Sequence, residues 1–496
     1  MTELPLALYR GQDVKELDRL VIQTENISGY QLMNRAGLVL WQILQTRWSK
    51  AQKIIVFCGN GNNGGDGFIL ARLAKDNGLD VTVYGIQKPS EKSTPQATQA
   101  RQEWLARGDI TLYAGQSLDG DLIIDAMLGT GARAPLTPEY QEAIRQINRS
   151  HLSVLAVDLP SGLHAETGSH LGAIIRADMT VTFIGLKVGL FLNEAVDNVG
   201  EIIFDDLNIN QSLYTNIKPC AWRLVHEQMM SALKKRPFSS HKGNFGHVVV
   251  VGGGMTGYSG APALAGEAAM RAGAGLVSLA VAPESLPLLA CAPRELMCYS
   301  PEKVKECETL FARATVFVIG PGLSQTTWGK QFFQATVAQQ KPIVVDADGL
   351  NWLAQYPQKS KHWILTPHPG EAARLLNCTI EQVQADRLQA ATDLQQRYGG
   401  IVVLKGAGTI VISESGEMVI NPGGYPALAT AGTGDVLAGL IGGLLAQGLT
   451  PMQAALLGVS THTKAALIEQ SFGERGMIAS DLLLHLRTLL NTFDIQ

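Results

Sequence analysis

The feature that most constrains this chain is a repeated alternation of short apolar runs, each ending in Gly, Asp or Ser, with amphipathic stretches between them. In the first half the runs are KIIVFCG from Lys53, DVTVYG from Asp80, DLIIDAMLG from Asp121 and SVLAVDLPSG from Ser153. A run that is apolar at consecutive positions suits a strand buried on both faces, the habit of parallel sheets. The stretches 68–77 and 140–149 between them carry apolar residues at helical spacing. Strand and helix in alternation predict an α/β sheet with helices on both faces. A second series runs HVVVVGGG, GLVSLAVAP, VFVIGPG, PIVVDADG, WILTPHPGE and IVVLKGAGTIVIS. The region 208–237 between the two series is less regular and contains Lys234-Lys235-Arg236-Pro237. At 496 residues the chain exceeds what one hydrophobic core serves. Two tandem α/β domains are therefore expected, 1–222 and 223–496.

Composition narrows the class of partner. Forty Lys and Arg against forty-four Asp and Glu leave a net charge of -4, so no broad basic field exists to hold nucleic acid. Cys58, Cys220, Cys291, Cys298, Cys307 and Cys378 form no CxxC pair and are too sparse for a disulfide scaffold. A reducing cytoplasm is the expected setting. The N-terminus MTELPLALYRGQ lacks the basic and apolar regions of a secretory signal, and no apolar run is long enough to span a bilayer. GLIGGLLAQGL from Gly439 reads as a buried core helix.

In open α/β sheets ligands bind at the carboxyl ends of the strands, where both series concentrate Gly, Asp and Asn. After KIIVFC come Gly59-Asn60-Gly61-Asn62-Asn63-Gly64-Gly65-Asp66-Gly67 and the helical stretch FILARLAKDNG. Glycines let backbone amides approach a ligand, and a helix N-terminus favours phosphate. The Asn and Asp oxygens exceed what a turn requires and suit a hard cation, with Asp125 and Ser161 as further donors. The competing reading of Asp125 and Asp158 is that each caps the loop after its strand.

In the second series the informative stretch is NPGGYPALATAGTGDVLAG from Asn421. Gly432 and Gly434 precede a helix that carries Asp435 in its first turn. A carboxylate beside such an anion hole is placed to take a proton from a substrate hydroxyl; the competing reading is an Asp that caps a helix. Lys405-Gly406-Ala407-Gly408-Thr409, at the end of the strand IVVL, suits contacts to nucleotide phosphates. TPHPGE puts His368 at a strand end, where a solitary His is more often structural.

The motifs GNGNNGGDG, DAMLGTGAR, VDLPSGLHAETG and TFIGLKVGL, with LMNRAG from Leu32, make residues 1 to about 220 resemble the NAD(P)H-hydrate epimerase, or YjeF N-terminal, family. The resemblance implies a Rossmann-like three-layer α/β/α domain that interconverts the R and S epimers of NADHX and NADPHX, the hydrated cofactors, at C6. It implies that Asn62, Asn63, Gly64, Gly65 and Asp66 hold this substrate together with Gly129, Thr130, Gly131, Ala132, Arg133, Ala134, Pro135 and Tyr140. Asn63, Asp125 and Ser161 would bind K+. Asp158 would contact the reacting ring as the catalytic base, since C6 bears both a hydroxyl and a nitrogen and acid-base assistance can open and reclose it.

GYSGAPALAGEAAMRAGAG from Gly257, GPGLS from Gly320, DADGL from Asp346, TPHPGE, KGAGT and AGTGD resemble the ribokinase-like NAD(P)H-hydrate dehydratase family, from about Phe238 onward. That resemblance implies that Ala261, Gly322, His368 and Asp435 contact the S-epimer, that Lys405, Gly406, Ala407, Gly408, Thr409 and Gly434 bind the nucleotide, and that Asp435 is the catalytic base. Phosphorylation of the C6 hydroxyl followed by loss of phosphate is then a coherent route. Relatives use ADP, giving AMP and phosphate, with Mg2+. A homo-oligomer is expected. Two other readings stay open: a kinase of a small alcohol, and a first domain that only binds a nucleotide or a partner.

Overall fold

The computed structural model describes residues 4–88 and 93–491, and the chain divides into two compact units, Met1–Arg223 and Leu224–Gln496. In the first unit a parallel sheet runs Ile110–Leu112, Asp80–Gly85, Lys53–Cys58, Leu122–Ala126, Ser153–Val157, Met179–Phe183, Glu201–Asp205 from edge to edge. Alternate residues of one strand enter different cores because successive side chains point to opposite faces. Ile54, Val56 and Cys58 join one apolar cluster, while Ile55 and Phe57 join the other. Strand order reverses between Lys53–Cys58 and Leu122–Ala126, so the loops after these two strands diverge and leave a crevice at their carboxyl ends.

The helix after Lys53–Cys58 spans Asn62–Asp76, six residues longer at its start than the apolar periodicity indicates. The Asn-Gly cradle is thus already helical. Gly64 is tolerated there because a Cβ on it would collide with the Gly59 carbonyl, so a residue of low helix propensity is the one that fits. Three short strands have no signature in the sequence. Ala7–Tyr9 pairs antiparallel with Ala221–Arg223 and parallel with Leu186–Lys187.

The second unit has the order Met297–Tyr299, Leu276–Ala280, His247–Val251, Val316–Ile319, Ile343–Val345, Trp363–Leu365, Ile401–Leu404, Thr409–Ile412, Met418–Asn421. It is parallel up to Ile401–Leu404, and the last two pairings are antiparallel. The order reverses between His247–Val251 and Val316–Ile319. Helix Thr433–Ala446 is buried along most of its length against helix Gly260–Ala272. Gly439 permits the close approach, since a Cβ there would strike the Ala265 carbonyl. GLIGGLLAQGL belongs to this core. Among the described residues no helix is long and apolar enough to cross a membrane.

Candidate active sites

In the first unit the crevice gathers residues from four consecutive strand ends. Asp125, fully buried on Leu122–Ala126, accepts from the Ser161 amide at 2.7 Å, the Ser161 hydroxyl at 2.6 Å and the Met127 amide at 3.3 Å. Burial pushes its carboxyl up to about 6 against these donors. The loop-capping role of Asp125 is therefore real, and the same bonds bring Ser161 beside it. Asn63 donates to the Leu128 carbonyl at 2.9 Å. Its own Oδ1 is buried with no hydrogen-bond partner among the described residues. A buried amide oxygen without a donor calls for a cation or a water.

Asp158 adopts a left-handed backbone conformation with φ of 66°, a strained state that non-glycine residues hold only where surrounding contacts over-determine it. Its carboxylate pairs with the Lys187 ammonium and accepts from the Thr182 hydroxyl at 3.2 Å. Lys187 is 1% exposed and also donates to the Thr182 hydroxyl at 3.0 Å and the Phe183 carbonyl at 3.1 Å. Asp18, on helix Gly11–Thr24, belongs to the same cluster: burial pushes its carboxyl up to about 6, Lys187 opposes that and Asp158 adds to it. Burial, then Asp158 and Asp18, raise Asp66 as well. Asn62 sits exposed at the helix start and accepts from the Thr94 hydroxyl at 2.5 Å. A Cβ on Gly65 would press on the Met33 side chain, and one on Gly129 would lie 3.3 Å from the Asn63 Cβ. Thr130 and Ala132 are half-buried, while Gly131, Arg133, Ala134 and Pro135 are exposed on the loop after Leu122–Ala126. Tyr140 stands apart from these polar groups and packs in the apolar cluster with Met127, Leu136 and Ile144.

In the second unit Gly432 caps helix Thr433–Ala446 with φ of 90°, which leaves the Asp435 carboxylate free of any capping bond. Gly434 lies inside the helix, not ahead of it as its sequence suggests. A Cβ on Gly434 would lie 3.2 Å from Lys405 Nζ and 3.5 Å from Asp346 Oδ2, so these groups share one pocket wall. Lys405 Nζ is 2.8 Å from Asp346 Oδ1 and 3.9 Å from Glu371 Oε2. Burial works against the Lys405 ammonium, but Asp346 and Glu371 outweigh it and hold it above its ordinary value. Burial first, then Asp346, push Asp435 up to about 7 against the pull of Lys405. Glu371 is likewise pushed up to about 7 by burial. His368 caps helix Pro369–Leu376 by accepting from the Gly370 amide at 2.9 Å, and its Nε2 faces Glu371 at 3.5 Å. Gly322, with φ of 59°, lies where a Cβ would press on Tyr258, and Ala261 stands in the first turn of helix Gly260–Ala272.

Two α/β crevices on one chain, each with buried carboxylates of raised affinity for protons, match a known pairing. Residues 248–487 match the family described as NAD(P)H-hydrate dehydratase, and residues 29–189 match the family described as YjeF-related protein N-terminus. The bifunctional NAD(P)H-hydrate repair enzyme Nnr of Coxiella burnetii is 43% identical over 98% of this chain and 99% of its own. This chain belongs to the bifunctional NAD(P)H-hydrate repair enzymes. The Escherichia coli member is 42% identical over 98% of this chain and 95% of its own. The ADP/ATP-dependent NAD(P)H-hydrate dehydratase of Bacillus subtilis, crystallised with ATP and Mg2+, is 29% identical, with a TM-score of 0.48 over 53% of this chain and 96% of that one.

For a member of these repair enzymes, several groups at the sites carry little or no local signal. Lys187 lies in TFIGLKVGL and Asp346 in DADGL, both motifs of the resemblance, yet their ion-pairing roles appear only in three dimensions. A lone Lys in an apolar run is the one sign that could have been read, because a buried ammonium requires a partner. Arg387 has no sign at all. It is 1% exposed and donates to the carbonyls of Ala407, Leu404 (3.2 Å) and Lys405 (3.2 Å), clamping the KGAGT loop from below. Its Nε is buried without a partner among the described residues, and burial lowers the guanidinium to about 10. Arg387→Met frees these acceptors and is expected to lower stability by roughly 2–4 kcal/mol. It should also raise the KM for nucleotide more than it changes kcat, with Arg387→Lys in between; denaturant melts and nucleotide titrations of the rate read the two effects.

Proposed function

We propose that the first unit epimerises hydrated NADH and NADPH at C6 and that the second dehydrates the S-epimer at the expense of ADP, giving AMP and phosphate. The observation that carries the second half is Asp435: a carboxylate pushed up to about 7, next to Lys405 and the Gly432–Gly434 turn. A base with affinity for protons near the working pH takes the C6 hydroxyl proton while the β-phosphoryl group of ADP transfers to that oxygen and AMP leaves. Phosphate then departs from C6 and a proton leaves C5, restoring the ring double bond. Phosphate is a far better leaving group than hydroxide. Lys405 and the amides of Gly406 to Thr409 neutralise the phosphates, and Ala261, Gly322 and His368 orient the nicotinamide part.

Among the described residues no three His, Cys, Asp or Glu side chains gather as a metal-binding group. Mg2+ characteristically binds through phosphates and retained waters with few protein ligands, so it fits here as a companion of the nucleotide, supplying charge neutralisation. In the first unit the oxygens of Asn63, Asp125 and Ser161 fit K+, and the unpartnered Asn63 Oδ1 supports this. Asp158 and Lys187 then serve as the proton-handling pair at C6, with Asn62 to Asp66 and Gly129 to Pro135 around the dinucleotide. Tyr140 supports that loop through the core.

Exchange of K+ for a bulky monovalent cation should lower the melting temperature of the first unit, because a ligand that binds only the folded state stabilises it by mass action. Asn63→Leu should abolish that dependence. A melting temperature indifferent to K+ would remove the cation from the reading. The dehydratase assignment is tested by incubating the protein with S-epimer and ADP or ATP and following reduced nicotinamide with released phosphate. Recovery of NADH with matching phosphate supports it; a stable phosphorylated product would instead favour a small-molecule kinase.

A further inference from the structure

The basic sequence Lys234-Lys235-Arg236 is unused by either active site. It lines a cavity of about 760 Å³ in the second unit, with Arg271, Arg487, Glu267 and Glu295 also on its walls. That volume lies within the usual range for small-molecule sites. Five cationic side chains against two carboxylates leave a local excess of three positive charges (5 − 2 = 3), on a chain whose net charge is -4.

Helix capping is the first structural use to weigh for these cations. Helices Gly260–Ala272, Thr433–Ala446 and Ala479–Leu489 all bring their C-terminal ends to the cavity through Gly273, Gln447 and Leu490. Each end carries roughly half a negative charge, so about half of the excess is absorbed there. The exposed carbonyls are already served: Arg236 donates to Gly273 at 2.6 Å and Gln447 to Ala272 at 2.6 Å. Arg236 also lies over the Phe245 ring, and Arg271 pairs with Glu267 at 2.7 Å. Lys234, Lys235 and Arg487 make no ion pair among the described residues. Arg487 stands in the last turn of Ala479–Leu489 and complements that helix end, while Lys234 and Lys235 are exposed.

We propose that this cavity is a second anion site, separate from the active site, that takes a phosphate-bearing small molecule of nucleotide size. Asp435 and Gln447 stand near opposite ends of one helix, twelve residues apart (447 − 435), which at about 1.5 Å per residue is ~18 Å. An occupant here therefore does not overlap Lys405 or the Gly432–Gly434 turn. Lys234, Lys235 and Arg487 hold its phosphates, while the side-chain amides of Gln447 and Asn491 stay bonded to the helix-end carbonyls of Ala272, Gly443 and Arg487.

The test is calorimetric titration of the full chain with inorganic tripolyphosphate, ATP and NADP+ in separate runs. It compares the wild type, the triple variant Lys234→Gln/Lys235→Gln/Arg487→Gln, and Lys405→Met. With at least one probe the triple variant should show one site fewer than the wild type while its dehydration rate stays within about twofold, and Lys405→Met should keep the site that the triple variant lost. Which probe behaves so identifies the occupant as a bare polyphosphate, a mononucleotide or a dinucleotide. Lys235→Glu alone should weaken the same site at least tenfold and guards against a folding defect in the triple variant. Equal stoichiometry in wild type and triple variant with every probe would overturn the proposal, as would loss of all binding in Lys405→Met.

Discussion

Asp435→Asn should reduce dehydration of the S-epimer by two to four orders of magnitude, the usual range for loss of a general base (~10²–10⁴-fold), while epimerisation continues unchanged. The substitution keeps the shape of the side chain at the first turn of Thr433–Ala446, and because Gly432 makes the cap, no capping bond is lost. The pH profile of the wild type should agree. The base acts when deprotonated, so dehydration should fall as pH drops below about 7, the value to which burial and Asp346 push this group.

Stability gives an independent reading with a fixed sign. A carboxyl whose affinity for protons is higher in the folded than in the unfolded chain favours the fold while protonated and loses that contribution as pH rises through its folded value. At pH 8 the ionised, buried Asp435 therefore opposes folding, and Asp435→Asn should melt higher than the wild type. Below pH 4 the difference should vanish. A variant that is both inactive and less stable at pH 8 would mean that Asp435 holds the fold together and is not a poised base.

The second large effect is expected at Asp158. Asp158→Asn should abolish enzymatic interconversion of the epimers to a comparable degree and leave S-epimer dehydration intact. It also removes the anionic partner of Lys187, which is 1% exposed, and breaking a buried pair from one side costs about 3–5 kcal/mol. The double variant Asp158→Asn/Lys187→Met removes both charges and should recover most of that stability without any epimerisation. If it recovers activity together with stability, the pair is structural and the base lies elsewhere, with Asp18 and Asp66 as the neighbouring carboxyls.

The legible parts of this molecule are those whose physics is local. Runs such as KIIVFC and HVVVVG are strands because a parallel strand buried on both faces must be apolar throughout, and the glycines after them mark the crevices. Helix starts are less legible. Asn62 to Gly67 look like loop by propensity, yet they are helical, and Gly64 and Gly65 stand where a Cβ would collide with Gly59 and Met33. Strands of two or three residues, such as Ala7–Tyr9 beside Ala221–Arg223, form from partners more than two hundred positions apart and leave no periodicity to read. The same holds for the clamp of Arg387 on the KGAGT loop and for the meeting of Asp18 with Lys187. Motifs mark where a site is; the ion pairs that tune it are set by the tertiary fold.

The most direct measurement uses the R-epimer of hydrated NADH alone, with ADP and Mg2+, following the reduced-nicotinamide absorbance in the wild type and in Asp158→Asn. If one chain carries both activities, the wild type should convert the R-epimer completely to NADH, while Asp158→Asn advances only at the slow uncatalysed rate of epimer exchange yet still converts added S-epimer at full speed. Equal recovery from the R-epimer in the two proteins would contradict the account, because the first unit would then contribute nothing to the repair.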